Sequence, residues 1–202
     1  MALALLDSHD EPPAATTTAN ALEYSSLTFL FSDVVGFTRM TERLGDSAAH
    51  RVMARHRAFV AETARRHGGE TVEVRGDGFL LAFASACSAV HCAIALQSGL
   101  ACAAHERPAE AISVRTGLHT GPAIADEGFY FGRNVILAAR VAERAEPDEI
   151  LVSAELRELL RGRAEFRTGA GRRVSLKGFA ERQQVFALSW AGEPALAAAT
   201  GW

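Results

Sequence analysis

The run Leu27-Thr28-Phe29-Leu30-Phe31 carries apolar side chains at successive positions and not only at alternate ones. A strand apolar on both faces is buried on both sides of a sheet, so this segment predicts a central strand with packed layers above and below. It runs into Ser32-Asp33-Val34-Val35-Gly36-Phe37-Thr38, which places the Asp33 carboxylate at a strand end. A second carboxylate, Asp77, sits in Arg75-Gly76-Asp77-Gly78 between the strand-like runs Thr71–Val74 and Phe79–Phe83. Gly76 and Gly78 provide the backbone freedom of a hairpin connection, and Asp77 taken alone also suits a simple turn former. If the strands are neighbours, the two aspartates converge. Converging carboxylates repel unless a cation lies between them, and Mg²⁺ is held by one or two carboxylates together with substrate phosphates.

The rest of the chain builds around these strands. Residues 1–23 are rich in Ala, Thr and Pro and read as a flexible leader, 24–190 as one domain, and the Ala-rich 191–202 as a flexible tail. A long helix is expected from Asp46 or Ser47, either able to cap it, to Gly68-Gly69, with Val52, Phe59, Val60 and Ala64 on one face. A second runs from Ser85 to about Ala104, followed by a strand over 112–119. A third helix over 135–144, a strand over 149–153, a short Ser153-capped helix and two strands near 174–176 and 184–188 complete the order. That order describes an α+β fold, a mixed sheet with a ferredoxin-like βαββαβ core and additional strands and helices.

Composition narrows the function. A net charge of -3 with charged residues nearly balanced offers no broad surface for nucleic acid. Cys87, Cys92 and Cys102 show no Cys-x-x-Cys spacing, which fits a reduced, cytoplasmic protein. The N-terminus lacks the basic region of a signal peptide, and no segment reads as the roughly 20 apolar residues of a membrane span. His119, within a strand, reads as structural, and His50, His56 and His67 form no helical ligand set.

Four segments together resemble the catalytic domain of class III nucleotidyl cyclases, the adenylate and guanylate cyclases: Phe31–Thr38, Gly76–Phe79, Val114–Gly121 and Tyr130–Arg140, with Leu176-Lys177-Gly178 as a weaker fifth. The resemblance covers roughly residues 25–190. It implies that Asp33 and Asp77, helped by the backbone carbonyl of Val34, hold two ions, Mg²⁺ or Mn²⁺, and that Gly36, Phe37 and Thr38 open a helix whose N–H groups face the triphosphate. It further implies that Arg140 steadies charge on the α-phosphorus and Lys177 approaches the terminal phosphates, both from the second subunit of a homodimer. The expected reaction turns ATP or GTP into a 3′,5′-cyclic nucleotide and pyrophosphate.

Three positions depart from the family pattern. Glu73 stands where adenylate cyclases carry Lys and guanylate cyclases Glu; its carboxylate can accept from guanine N1–H and the 2-amino group. Phe129 occupies the companion base position and offers stacking without a hydrogen bond. Ile136 replaces the Asn that orients the ribose, and Asn134 two residues earlier faces about 200° away on a helix. These positions leave three readings: a purine cyclase, a pyrimidine nucleotide cyclase, and a degenerate domain that binds nucleotide or pairs with another subunit without catalysis.

Overall fold

The computed structural model describes residues 23–190. The expected leader, apart from Glu23, and the expected tail lie outside the described residues. Strand β1 (Glu23–Val34) leads through α1 (Phe37–Leu44) and α2 (Asp46–Arg66) to the hairpin β2 (Gly69–Arg75) and β3 (Gly78–Phe83). Helix α3 (Ala86–Glu106) then crosses to β4 (Val114–Asp126), which turns back through β5 (Phe129–Phe131) into α4 (Arg133–Ala142). Strand β6 (Ile150–Ser153), α5 (Ala154–Leu159), β7 (Arg172–Val174) and β8 (Gln183–Leu188) follow. The sheet order is β2-β3-β1-β4-β6-β8-β7, with β5 paired to β4. Each neighbouring pair among its first four strands is antiparallel, with helices joining β1 to β2 and β3 to β4, the ferredoxin-like βαββαβ core, and the parallel β4–β6 pair makes the whole sheet mixed.

The double-faced character of β1 has a direct structural cause. Leu30 joins Val60 of α2, Val90 and Leu96 of α3 and Leu81 of β3 on one side of the sheet. Phe29 joins Leu80, Ala123, Val135 and Ala138 on the other, where α4 lies. Both Phe29 and Leu30 are fully buried. Helix α3 has the length and apolar composition of a membrane span, contrary to the reading from sequence, and it is a core helix here: Ala89, Val90, Ala93, Leu96 and Leu100 are buried.

Several local expectations shift. Neither Asp46 nor Ser47 caps α2; Gly45 holds that position at φ 75° without a side-chain bond. Only Gly76 of the two hairpin glycines has positive φ (60°). Gly78 lies close to the other aspartate: a Cβ there would be 3.4 Å from Asp33 Oδ1, an ordinary contact. The strand expected over 112–119 extends to Asp126, and β5 was not legible as a strand.

Helix α4 lies along β4 on a track of small residues. Gly117, His119 and Gly121 alternate onto one face, as the period of a strand requires. A Cβ at Gly117 would fall 2.1 Å from the Ala142 backbone nitrogen, and one at Gly121 2.6 Å from Asn134 Cγ. From Asn134 to Ala142 a helix advances about 12 Å, and from Gly117 to Gly121 a strand advances about 13 Å, so both ends of α4 rest on the β4 backbone.

Candidate active site

Asp33, at the end of β1, is opposite Gly78 on β3 and Arg115 on β4. Arg115 donates to Asp33 Oδ2 from Nε at 3.0 Å and from Nη2 at 2.5 Å. Sequence reasoning missed this arginine, whose only local signal is its place in the strand antiparallel to β1. Asp77 sits in the turn joining β2 to β3. Burial raises its pKa first; the charge of Asp33 raises it further, opposed by a bond from its own backbone N–H and by Arg115. Gly78, the neighbour of Asp77, pairs with Asp33 across β1 and β3, so the two aspartates lie at adjoining strand ends.

A cavity of about 240 Å³ opens beside this pair. It is lined by Asp33, Glu73, Arg75 and Arg115 from the sheet, by Ala139 of α4 and by Glu143 just past the end of that helix. Glu73 reaches it because of a β-bulge. The pairing Thr71↔Leu81 slips to Glu73↔Leu80, so Glu73 joins Leu80 on the α4 side of the sheet. Simple alternation would have left Glu73 on the same face as Thr71. Its carboxylate accepts from Arg75 Nε, a partner also unforeseen.

The other expected residues lie apart from this cavity. Val34 ends β1 with its side chain buried. Gly36 begins α1 in the left-handed conformation with no side-chain cap, and Phe37 and Thr38 are exposed in the first turn. Arg140, on α4, pairs with Glu143 one turn on, while its Nε is buried without a partner. Lys177 is exposed between β7 and β8; Arg133 of α4 lies over the Phe179 ring of the same loop, 5.3 Å from its centre. Neither Arg140 nor Lys177 lines the cavity that holds Asp33 in its own chain. Ile136 is 52% exposed and Phe129 54%.

Behind α4 lies a buried polar network. His119, 2% exposed, contacts Asn134 Oδ1 through Nε2 (3.0 Å) and Ser153 Oγ through Nδ1 (2.8 Å). Asn134 donates from Nδ2 to the Pro122 carbonyl at 2.7 Å. Burial lowers the His119 pKa; the bond to Asn134 and the charge of Glu155 oppose it, and Arg133 adds to it.

Asp33 and Asp77, at adjoining strand ends, offer the hard carboxylate oxygens that a divalent cation takes, so the residues present fit the expected ions. Among the described residues no group of three or more His, Cys, Asp or Glu side chains forms a further metal cluster.

The adenylate and guanylate cyclase catalytic domain family matches residues 19–189. An adenylate cyclase of Streptomyces coelicolor is 31% identical over 134 residues, 66% of this chain and 34% of its own length. A Rhizobium meliloti relative is 34% identical over 137 residues, 67% of this chain and 23% of its own. The chain thus spans about a third and about a quarter of the length of these two relatives. Among solved structures, the adenylyl cyclase CyaB from P. aeruginosa superposes with TM-score 0.76 at 24% identity, covering 84% of this chain and 96% of that one. The guanylyl cyclase Cya2 gives TM-score 0.76 at 23% identity, covering 87% and 97%. The strand order, the paired strand-end aspartates and the extent of the family match lead to one assignment: this chain belongs to the class III adenylate and guanylate cyclase catalytic domains.

Proposed function

We propose that the chain acts as a homodimeric nucleotidyl cyclase, converting a purine nucleoside triphosphate to its 3′,5′-cyclic nucleotide and pyrophosphate. The observation that carries this reading is the β1–β3 register, which pairs Asp33 with Gly78, the neighbour of Asp77, beside a cavity lined by Asp33, Glu73 and Arg115. In the reaction the ribose 3′-oxygen bonds to the α-phosphorus, its proton departs, and the bond to the leaving pyrophosphate breaks. Asp33, Asp77 and the Val34 carbonyl would hold two divalent ions, which when bound lower the 3′-hydroxyl pKa and neutralise phosphate charge. Arg115, already paired with Asp33, is a resident cation placed to exchange that carboxylate for an incoming phosphate. The uncapped N–H groups at Gly36-Phe37-Thr38 add an anion-binding helix end.

Arg140 and Lys177 complete a site only if a second copy supplies them, since neither lines the cavity of its own chain. Glu73 favours guanine, because a carboxylate accepts from both N1–H and the 2-amino group of guanine, whereas it meets the acceptor N1 of adenine unfavourably. The relative named adenylate cyclase in Streptomyces coelicolor argues for ATP. Ile136 supports a second reading, a domain that binds nucleotide with little turnover, since an exposed apolar side chain stands where a polar ribose contact is expected.

The deciding experiment incubates the protein separately with ATP, GTP, CTP and UTP plus Mn²⁺ and identifies cyclic product by mass spectrometry. A purine cyclic nucleotide whose formation drops at least ~100-fold in Asp33→Ala is the expected result. No product from any nucleotide, or product indifferent to Asp33→Ala, overturns the cyclase reading.

A further inference from the structure

Burial favours the neutral ring of His119, and in that form the hydrogen bonds around it admit one arrangement. The Pro122 carbonyl can only accept, so the Asn134 amide must turn its NH₂ toward it and its Oδ1 toward His119. His119 therefore carries its proton on Nε2 and donates to Asn134. Its Nδ1 is then left as an acceptor in the neutral ring, and Ser153 donates its hydroxyl proton there. The Ser153 oxygen still accepts from the Leu156 N–H at 3.3 Å, at the start of α5. Each imidazole nitrogen has one hydrogen-bond partner of the right sense, with Glu155 Oε2 beyond bonding distance at 3.6 Å from Nδ1, so a buried neutral histidine is satisfied.

This network adds directional bonds to the apolar packing of α4, whose Val135, Leu137, Ala138 and Val141 are buried against the sheet. Gly117 and Gly121 allow the helix to approach β4, and small contacts of that kind set distance but not rotation. Asn134 fixes the rotation, because it is bonded to the sheet at two points, His119 and Pro122. Ile136 and Arg140, two and six residues further on, are about 200° and 240° away around the helix, facing away from β4. A rotation of about 10° would displace a group roughly 6 Å from the axis by about 1 Å, a misplacement that can cost on the order of 100-fold in rate.

We propose that His119 is a positioning residue, which through Asn134 locks the rotation of α4 on the sheet and so aims the outward face bearing Ile136 and Arg140 at the partner's nucleotide. The inference rests on the cyclase reading above for its catalytic consequence, while the helix lock itself stands on the hydrogen bonds.

The test uses the full chain as wild type, His119→Leu, His119→Gln and Asn134→Ala. Ring ¹⁵N NMR of the wild type is expected to show the neutral Nε2–H tautomer. Amide hydrogen exchange is expected to accelerate at least ~10-fold across α4 in His119→Leu and Asn134→Ala, while β1 and β3 keep their protection. With nucleotide and Mn²⁺, those two variants are expected to lose ~100-fold in kcat with KM within ~3-fold. Glutamine can donate and accept in the same place, so His119→Gln should recover to within ~10-fold of wild type. The opposite tautomer, unchanged α4 exchange, protection lost evenly across the sheet, or a glutamine variant no better than leucine each overturns the proposal. Tautomer and exchange require no turnover: an inactive wild type would count against the cyclase reading, and these two measurements would still decide the helix lock.

Discussion

His56 shows how one residue can link stability to pH. It is 1% exposed, stacks edge-on against Phe79 with ring centres 5.4 Å apart, and neither ring nitrogen has a hydrogen-bond partner among the described residues. Burial, with a smaller contribution from Arg57, lowers its pKa to about 4. The unfolded chain takes up this proton near pH ~6.5 and the folded chain only near 4, so stability falls as pH drops through that window. Urea melts of the wild type and His56→Leu at pH 7.5 and pH 5 should show the variant losing ~2 kcal/mol less on acidification. An identical loss would mean that the ring is solvated. The aspartates, by contrast, were readable from sequence because their setting is local: a strand end and an Asp-Gly turn. Arg115 was not, because its carboxylate partner is 82 residues away and only the β1–β4 register brings them together.

Helices and strands differ in what fixes them. The α2 and α3 spans follow from apolar periodicity and were expected nearly in place, while their starts differ: α2 begins at Gly45 without a side-chain cap and α3 at a capping serine. Ser85 caps α3 by accepting from the Ser88 N–H, and Ser153 caps α5 in the same way while also donating to His119. Replacing Ser85 with Ala should cost ~1 kcal/mol in a denaturant melt. Ser153→Ala should cost ~2–3 kcal/mol, because it also strands a buried imidazole acceptor. Equal losses would show that the His119 bond contributes nothing. The β2 bulge and β5 escaped sequence reasoning for a common reason. A bulge changes the facing of Glu73 without changing any residue type, and three residues of Phe-Tyr-Phe become a strand only because β4 continues far enough to pair with them.

At the scale of the whole molecule, the proposed site is divided between two copies, and that division can be measured. Asp33→Ala removes the metal side of both sites in a homodimer, and Arg140→Ala removes the opposite side. Each variant alone should be inactive, whereas an equal mixture should regain about a quarter of wild-type activity, since half the dimers are mixed and each carries one intact site. Failure to complement, with both variants folded and dimeric in light scattering, would place Arg140 outside the partner's site. The sequence by itself determined the α+β class, the ferredoxin-like order and the two acidic turns, because hydrophobic period and turn chemistry act over a few residues. The tertiary structure alone decided that Arg115 meets Asp33, that Glu73 turns into the cavity, and that His119 holds α4 through Asn134. Those contacts join residues remote along the chain, and only strand register and close backbone packing on Gly117 and Gly121 bring them within bonding distance.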